Sequence, residues 1–380
     1  MSAVSVSSSY DAIVIGAGIV GAACADECVG VGMRVAVVDA DMIGGGATAA
    51  GMGHIVVMDD SDAQFALTRY SQQLWQELRR VLPADVEYEQ CGTIWVAADE
   101  QEMAEAHRKY SYYRQRGVPA EVLDCDALAS IEPNLRKGLA GGLLVPEDSV
   151  LYPPCAARFL IERAQAGGAT VYLGSPVSQI GSGRVRLDDG TELSAGAIIN
   201  AAGNGAVSLT PGLAIKKRKG HLVITDRYPG FIRHQLVELG YLKSAHSTTG
   251  DSVAFNVQPR QTGQVLIGSS RQYHVEDKQV DNPILQRMLR RAEQYMPGLA
   301  QMSTIRVWTG FRAATPDKLP LIGPWPGDTT VFLATGHEGL GITTSLATAR
   351  ILVDQIIGRE AAIPVEPYLP VRASLEHVYV

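Results

Sequence analysis

Apolar and polar positions along this chain follow two different periods, and the change from one to the other marks its elements. The run Asp11-Ala-Ile-Val-Ile15 is apolar after its first residue and short enough for a buried parallel strand. Ile19 to Val31 is made of small and apolar residues that suit a helix, and Arg34 to Val38 repeats the strand pattern, so the start reads as a βαβ unit. Between Asp62 and Leu82 the apolar residues Leu67, Tyr70, Leu74, Leu78 and Val81 recur at steps of three or four, which predicts an amphipathic helix with one buried stripe. Gly92 to Ala97 then reads as a strand and Glu100 to Arg116 as a charged surface helix.

From Gly141 the α/β texture returns. A strand is expected at Gly142–Val145, a helix at Pro153–Ala166, a strand at Thr170–Leu173 and a hairpin through Asp188-Asp-Gly190. Ala197-Ile-Ile-Asn-Ala-Ala-Gly203 is a strand running into a small-residue turn. Residues 216 to 312 are richer in strand-like runs, at His221–Thr225, Val253–Val257 and Val265–Ser269, with a helix near Pro283–Tyr295. The strand Val331–Ala334, a glycine turn and a helix from about Leu340 to Ile357 follow. This alternation predicts an α/β fold. A Rossmann-like domain is assembled from residues 1–85, 141–212 and 315–380, and a second α+β domain with an antiparallel sheet comes from 86–140 and 213–314.

Composition narrows the function. At 380 residues and 46% hydrophobic content the chain can fill two cores. A net charge of -7 argues against a nucleic-acid footprint, which selects for a basic face. The one basic run, Lys216-Lys-Arg-Lys219, reads as a solvated loop or strand edge. Five scattered cysteines, Cys24, Cys28, Cys91, Cys125 and Cys155, offer neither a zinc spacing nor a disulfide framework, so no metal is expected. The longest apolar run, Ala12 to Ala25, is broken by glycines, so no transmembrane segment is expected and the chain is placed in the cytoplasm.

The glycines after the first strand carry the chemistry. In a nucleotide site Gly16 makes the tight turn, Gly18 lets backbone approach a pyrophosphate and Gly21 lets helix pack on strand, with Ile19 and Val20 at the helix N-terminus. Asp39 follows Gly21 by 18 residues at the end of the second strand, where a carboxylate accepts hydrogen bonds from ribose hydroxyls. The alternative is a tight turn in an ordinary α/β domain. A glycine triplet alone is weak evidence, but the strand before it, the helix after it and the acid at this offset favour the nucleotide. A second small-residue loop, Gly44-Gly-Gly-Ala-Thr-Ala-Ala-Gly-Met-Gly-His54, suits close backbone approach to a flat ring.

These motifs, followed by Asn200-Ala-Ala-Gly203, by Trp308-Thr-Gly-Phe-Arg312 leading to Pro320-Leu-Ile-Gly323, and by Gly336-His-Glu-Gly-Leu-Gly-Ile-Thr-Thr344, together resemble the FAD-dependent D-amino-acid oxidase superfamily. The resemblance spans nearly the whole chain and is greatest to the branch of glycine oxidase, sarcosine oxidase, D-arginine dehydrogenase and D-hydroxyproline dehydrogenase. It implies FAD on the discontinuous domain and a β-rich substrate domain over the ring. It also implies oxidation of a small amino or imino acid, such as a D-amino acid or D-hydroxyproline, by hydride transfer from the α-carbon. A glycine-oxidase-like enzyme using oxygen and a flavoprotein subunit passing electrons to partner subunits stay open beside a dehydrogenase. A nicotinamide enzyme is disfavoured by the loop at 44–53.

By the same resemblance, cofactor contacts fall on Gly16, Gly18, Ile19, Val20, Gly21, Asp39, Ala40, Gly46, Ala47, Thr48, Gly51, Met52 and Gly53. Later contacts fall on Val177, Ala201, Ala202, Gly203, Gly339, Leu340, Gly341, Ile342 and Thr343. Arg312 matches the arginine that clamps the substrate carboxylate, and its planar fork suits that task. Tyr241, in Gly240-Tyr-Leu-Lys243, matches a tyrosine that reaches the same carboxylate. His54 either tunes the ring or touches substrate, or is a hydrogen-bonded packing histidine. No amino-acid base is expected, and with no cysteine after Cys155 the FAD is expected to be non-covalent.

Overall fold

The computed structural model describes residues 8–240 and 250–372. Two large sheets organise them, and each follows from the pattern of its strands. The first has the order β17 (Leu321–Trp325), β18 (Asp328–Thr335), β11 (Glu192–Asn200), β1 (Ser8–Ile15), β2 (Val35–Val38), β8 (Thr170–Tyr172). The pairings β18–β11, β11–β1, β1–β2 and β2–β8 are parallel. An antiparallel hairpin of β9 (Val177–Gly181) and β10 (Arg184–Leu187) continues from β11.

Strand alternation explains why residues 12–15 are apolar without a break. Ala12 and Val14 face one core, shared with α1 (Ile19–Gly30), α6 (Pro153–Ala166) and α9 (Gly341–Ile357), while Ile13 and Ile15 face a second core closed by Val185 and Leu187 of the hairpin and Leu193 of β11. A strand buried on both faces has no polar side to show. Fully burying a side chain such as Ile13 contributes about 1.5–3 kcal/mol.

The second sheet runs β16 (Thr304–Ala314), β12 (Lys216–Arg227), β15 (Gln264–Arg271), β14 (Ser252–Pro259), β13 (Gln235–Glu238), β4 (Thr93–Ala97), β6 (Gly141–Val145), β5 (Glu121–Asp124). It is antiparallel apart from β13–β4. One face packs on α8 (Asn282–Tyr295) and α5 (Cys125–Ile131), where the Phe255 and Tyr295 rings stack at 4.4 Å. The segment beginning at 141 thus opens with a strand of this second sheet, not of the first. The helix α4 (Glu100–Gln115) covers part of the sheet and carries a fully buried Lys109, its ammonium 4.4 Å from the Trp95 ring and paired to Asp59, so it is less of a surface helix than its charge suggests.

The helix α3 (Asp62–Leu78) is capped by the Ser61 hydroxyl on the Gln64 N–H and gives way to a short 3-10 turn at Arg79–Val81. Leu67 is buried, but Val81 is 62% exposed because the turn rotates it off the stripe. A separate small antiparallel sheet pairs β3 (His54–Ile55) with β7 (Ser149–Val150), and two short helices, α2 (Gly46–Ala49) and α7 (Ala206–Leu209), lie in loops. Among the described residues no helix is long and apolar enough to cross a membrane, and no cluster of three or more His, Cys, Asp or Glu is placed to hold a metal.

Beside the β3–β7 pair lies a buried acid with a pH-dependent role. Asp148 Oδ1 accepts from the Val57 N–H at 3.2 Å and from Gln72 Nε2 at 2.8 Å, and the Thr93 hydroxyl also supports the carboxylate. Burial, only partly offset by hydrogen bonds, pushes the carboxyl up to about 7. The folded chain therefore keeps a proton that the unfolded chain, with a carboxyl near 3.8, releases. That contribution is complete below the unfolded value and lost as pH rises through about 7. Asp148→Asn stays neutral, so thermal unfolding should show it gaining about 2–3 kcal/mol on the parent between about pH 5 and pH 8. An unchanged gap would show that Asp148 ionises freely.

Candidate active site

The turn between β1 and α1 is built by close approach. Gly16 takes φ 105°, and a Cβ there would stand 2.6 Å from the Ala201 carbonyl oxygen; a Cβ on Gly21 would stand 1.8 Å from the Gly16 oxygen. The N-terminus of α1 has no acidic residue in its first turn, and its Ile19 N–H donates to Thr48 Oγ1 at 3.0 Å. Asp39 closes the turn: Oδ2 accepts from the Ala17 N–H at 2.6 Å and Oδ1 from the Asp41 N–H at 2.8 Å. A carboxylate offers about four lone-pair sites, so these two bonds leave capacity for hydroxyl donors.

Around that turn the surface is made of small residues. Ala40, Gly46 and Ala47 are exposed, Ala202 and Gly203 are half-buried, and Gly46 (φ 56°) and Gly203 (φ 55°) have nothing within 4 Å of where a Cβ would stand. The Ser175 N–H donates to the Asp39 carbonyl at 2.9 Å, which brings the segment leading into Val177 beside the acid. Asn204 bonds the Phe311 carbonyl at 2.8 Å through Nδ2, linking this surface to β16, and its buried Oδ1 has no partner among the described residues.

The second small-residue loop leads to the N-terminus of α9. A Cβ on Gly51 would meet Ile342 Cδ1 at 2.5 Å, and one on Gly53 (φ 108°) would meet the Leu151 carbonyl oxygen at 1.9 Å. Thr343 Oγ1 donates to the His54 carbonyl at 2.8 Å, tying helix to loop. The α9 N-terminus, with Leu340 at its cap and Gly341 and Ile342 in its first turn, has neither a side-chain cap nor a first-turn acid. The His54 Nε2 is buried without a partner among the described residues. Burial first, and the charge of Arg312 second, depress its pKa to about 4, which keeps the imidazole neutral near pH 7.

Facing this loop is one side of the second sheet. Directly paired residues share a face, so Trp308–Leu222, Gly310–Gly220 and Arg312–Arg218 form three rungs on it. Two rungs explain their glycines. A Cβ on Gly310 would stand 2.2 Å from Ala50 Cβ, and one on Gly220 would stand 2.6 Å from Arg312 Nη1. The Arg312 side chain thus lies across β12 over Gly220, and its Nη1 donates to the Ser270 carbonyl of β15 at 3.0 Å. Met52, Leu222 and Leu266 form an apolar cluster there, with Trp308 packed against it. The Arg312 Nε also lies 3.7 Å from the Cβ position of Gly339. The structure thus brings Arg312, His54 and the start of α9 together. Tyr241 lies outside the described residues.

One reading of the chain changes here. The basic run Lys216-Lys-Arg-Lys219 is not simply a solvated edge: Lys219 is 2% exposed, bonded to Asp277 at 3.1 Å, and Arg218 is largely buried against Glu338. A strand shows alternate residues to opposite sides, which a run of like charges conceals. His337 is buried, with Nε2 3.0 Å from Thr348 Oγ1, and burial depresses its pKa to about 3, so it packs against α9. The sequence pattern assigned no place in the site to Gly220, Arg218, Arg271 or Glu338. The only local signal was the pairing of glycine with basic residues in Arg218-Lys-Gly220, which acquires meaning through the register with β16.

A parallel strand, a glycine turn, an acid at the second strand end and a capping helix under a second sheet define a two-domain dinucleotide-binding oxidoreductase. The chain matches the FAD dependent oxidoreductase family over residues 11–355, and it belongs to that family. It is 27% identical to a glycine oxidase from Geobacillus kaustophilus over 374 residues, covering 94% of this chain and 96% of the relative. It is likewise 27% identical over 421 residues to the hydrogen cyanide synthase subunit HcnC of Pseudomonas aeruginosa, covering 97% of each. The crystal structure of the Geobacillus kaustophilus glycine oxidase superposes with a TM-score of 0.86, at 26% identity, covering 97% of this chain and all of the other. FAD is the family's cofactor, and the residues fit it: small side chains line the turn and loop, two helix N-termini carry no acid, and Asp39 retains acceptor capacity.

Proposed function

We propose that the chain oxidises a small amino or imino acid at the bond between the α-carbon and nitrogen, with Arg312 holding the carboxylate. The observation that carries this reading is the convergence of Arg312, His54 and the uncapped start of α9 around one face of the second sheet. The glycine oxidase names among the relatives support the substrate class. Bound FAD would supply the acceptor for the hydride that leaves the α-carbon with its electron pair.

The chain's own residues supply binding, orientation and exclusion of water. The guanidinium of Arg312 lies flat over Gly220 and is anchored on Ser270, which fixes the direction from which a carboxylate docks. Met52, Leu222, Leu266 and Trp308 form a dry wall beside it. His54 stays neutral and adds no further cation near the guanidinium. The amine loses its proton to water, so no side-chain base is required. On the cofactor side, the proposed contacts are Gly16, Gly18, Ile19, Val20 and Gly21 at the phosphates and Asp39 at the ribose. Ala40, Val177, Ala201, Ala202 and Gly203 flank the adenosine half. Gly46, Ala47, Thr48, Gly51, Met52, Gly53, Gly339, Leu340, Gly341, Ile342 and Thr343 surround the flavin.

Anaerobic titration of the yellow protein with glycine, sarcosine, D-amino acids and D-hydroxyproline tests the reading: at least one should bleach the flavin band. If none does while dithionite bleaches it fully, the substrate class is wrong. Acid precipitation of the same sample should leave the flavin in the supernatant. The HcnC relative is named as a subunit, which favours a second reading in which partner subunits, not oxygen, take the electrons. Comparing oxygen uptake with dye reduction on the bleaching substrate separates the two.

A further inference from the structure

The rung Arg218–Arg312 places two arginines directly opposite each other on neighbouring strands, an arrangement that like charges oppose. Arg271, at the end of β15 on the other side of β12, adds a third cation. The carboxylate of Glu338, ion-paired to Arg218 and 3.8 Å from the Arg271 Nε, is the anion on which they gather. Glu338 sits in the turn before α9 with φ 50°, a left-handed conformation uncommon outside glycine. Its N–H donates to the Ala313 carbonyl at 2.8 Å, one residue past Arg312, and the next residue, Gly339, lies against the Arg312 side chain. Burial would push this carboxyl up, but the charges of Arg271, Arg218, Arg312 and Lys318 outweigh it and hold the group below its usual range.

We propose that Glu338 is a positioning residue: by drawing Arg218 and Arg271 onto its carboxylate, it leaves the Arg312 guanidinium lying over Gly220, oriented toward a substrate carboxylate. The inference rests on the substrate role of Arg312 proposed above. Glu338 itself meets the two neighbouring arginines and the strand end, not the reacting atoms. Its charge cancels repulsion that would otherwise drive Arg312 off the face, and its backbone locks the strand to the turn before α9.

The test uses holoenzyme and acetate as the carboxylate probe, with binding read from the perturbation of the flavin spectrum. Glu338→Gln keeps the shape and removes the charge; it should weaken acetate about tenfold, with kcat changed by less than about threefold. Glu338→Asp should recover most of that loss. In an Arg312→Ala background the Gln substitution should have almost no further effect, because the group it positions is gone. Equal losses in both backgrounds, or acetate affinity unchanged by Glu338→Gln while Arg312→Ala abolishes it, would overturn the inference. If Arg312→Ala alone leaves acetate binding unchanged, the substrate role of Arg312 fails instead. Should Glu338→Gln not retain FAD, Arg218→Met serves: the carboxylate then turns to Arg312 and competes with acetate, and unchanged affinity refutes the idea.

Discussion

Arg312→Ala should lower kcat/KM for the substrate that bleaches the flavin by roughly 30-fold to several thousandfold, the range expected when one partner of a desolvated charge pair is truncated. Most of the loss should appear in KM, because the carboxylate is bound in the ground state as well as during transfer. The side chain also donates to Ser270 across Gly220, so the variant could lose local order along with the clamp. Arg312→Lys separates these effects. It keeps a cation in the same rung of the sheet but replaces the fork with a single point of charge, and should fall between parent and alanine variant. An unchanged KM in Arg312→Ala, with a normal flavin spectrum, would remove the clamp from the mechanism.

The second large effect is steric. Gly21→Ala should yield protein without bound FAD, or no folded protein at all, because the added methyl carbon would stand 1.8 Å from the Gly16 carbonyl oxygen. Overpacking a core by a methylene costs about 1–3 kcal/mol when side chains can give way. Here the obstacle is backbone in the turn proposed to hold the phosphates, so relief requires moving α1 away from β1. Gly30→Ala, on the same helix with nothing within 4 Å of the new atom, is the control and should bind FAD normally. The flavin-to-protein absorbance ratio of the two purified variants checks this, and a fully loaded Gly21→Ala would show that the turn tolerates a displaced helix.

Much of the fold was legible because it rests on short-range pattern. The βαβ unit around Gly16, Gly18 and Gly21 is announced by an apolar run, a small-residue helix and a second run, each specified within about a dozen residues. The hairpin at Asp188-Asp-Gly190 was equally local: β10 and β11 pair antiparallel on either side of it. Harder to see was that Gly141–Val145 joins the second sheet, since a five-residue apolar strand has the same letters in either sheet and its partners β4 and β5 lie elsewhere in the chain. The helix stripe failed at Val81 because a change from α to 3-10 geometry moves a residue off the face without altering its spacing.

The candidate site divides along the same line. The cofactor side depends on glycines and an acid whose spacing along the chain is itself the geometry, so Gly16, Gly21 and Asp39 could be read in order. On the substrate side, Arg312 could be named from its motif. Its neighbours could not: Gly220 lies 92 residues earlier, Ser270 on a third strand, and Glu338 in the turn before α9. Sequence alone determined the strand-turn-helix around Gly16 and Gly21, since its apolar run, its helix and the Gly21–Gly16 approach all lie between near neighbours. Only the tertiary structure decided which basic residues are buried, which glycine lets Arg312 cross a strand and which carboxylate balances it, because charges interact through space and register brings together residues that the chain keeps far apart.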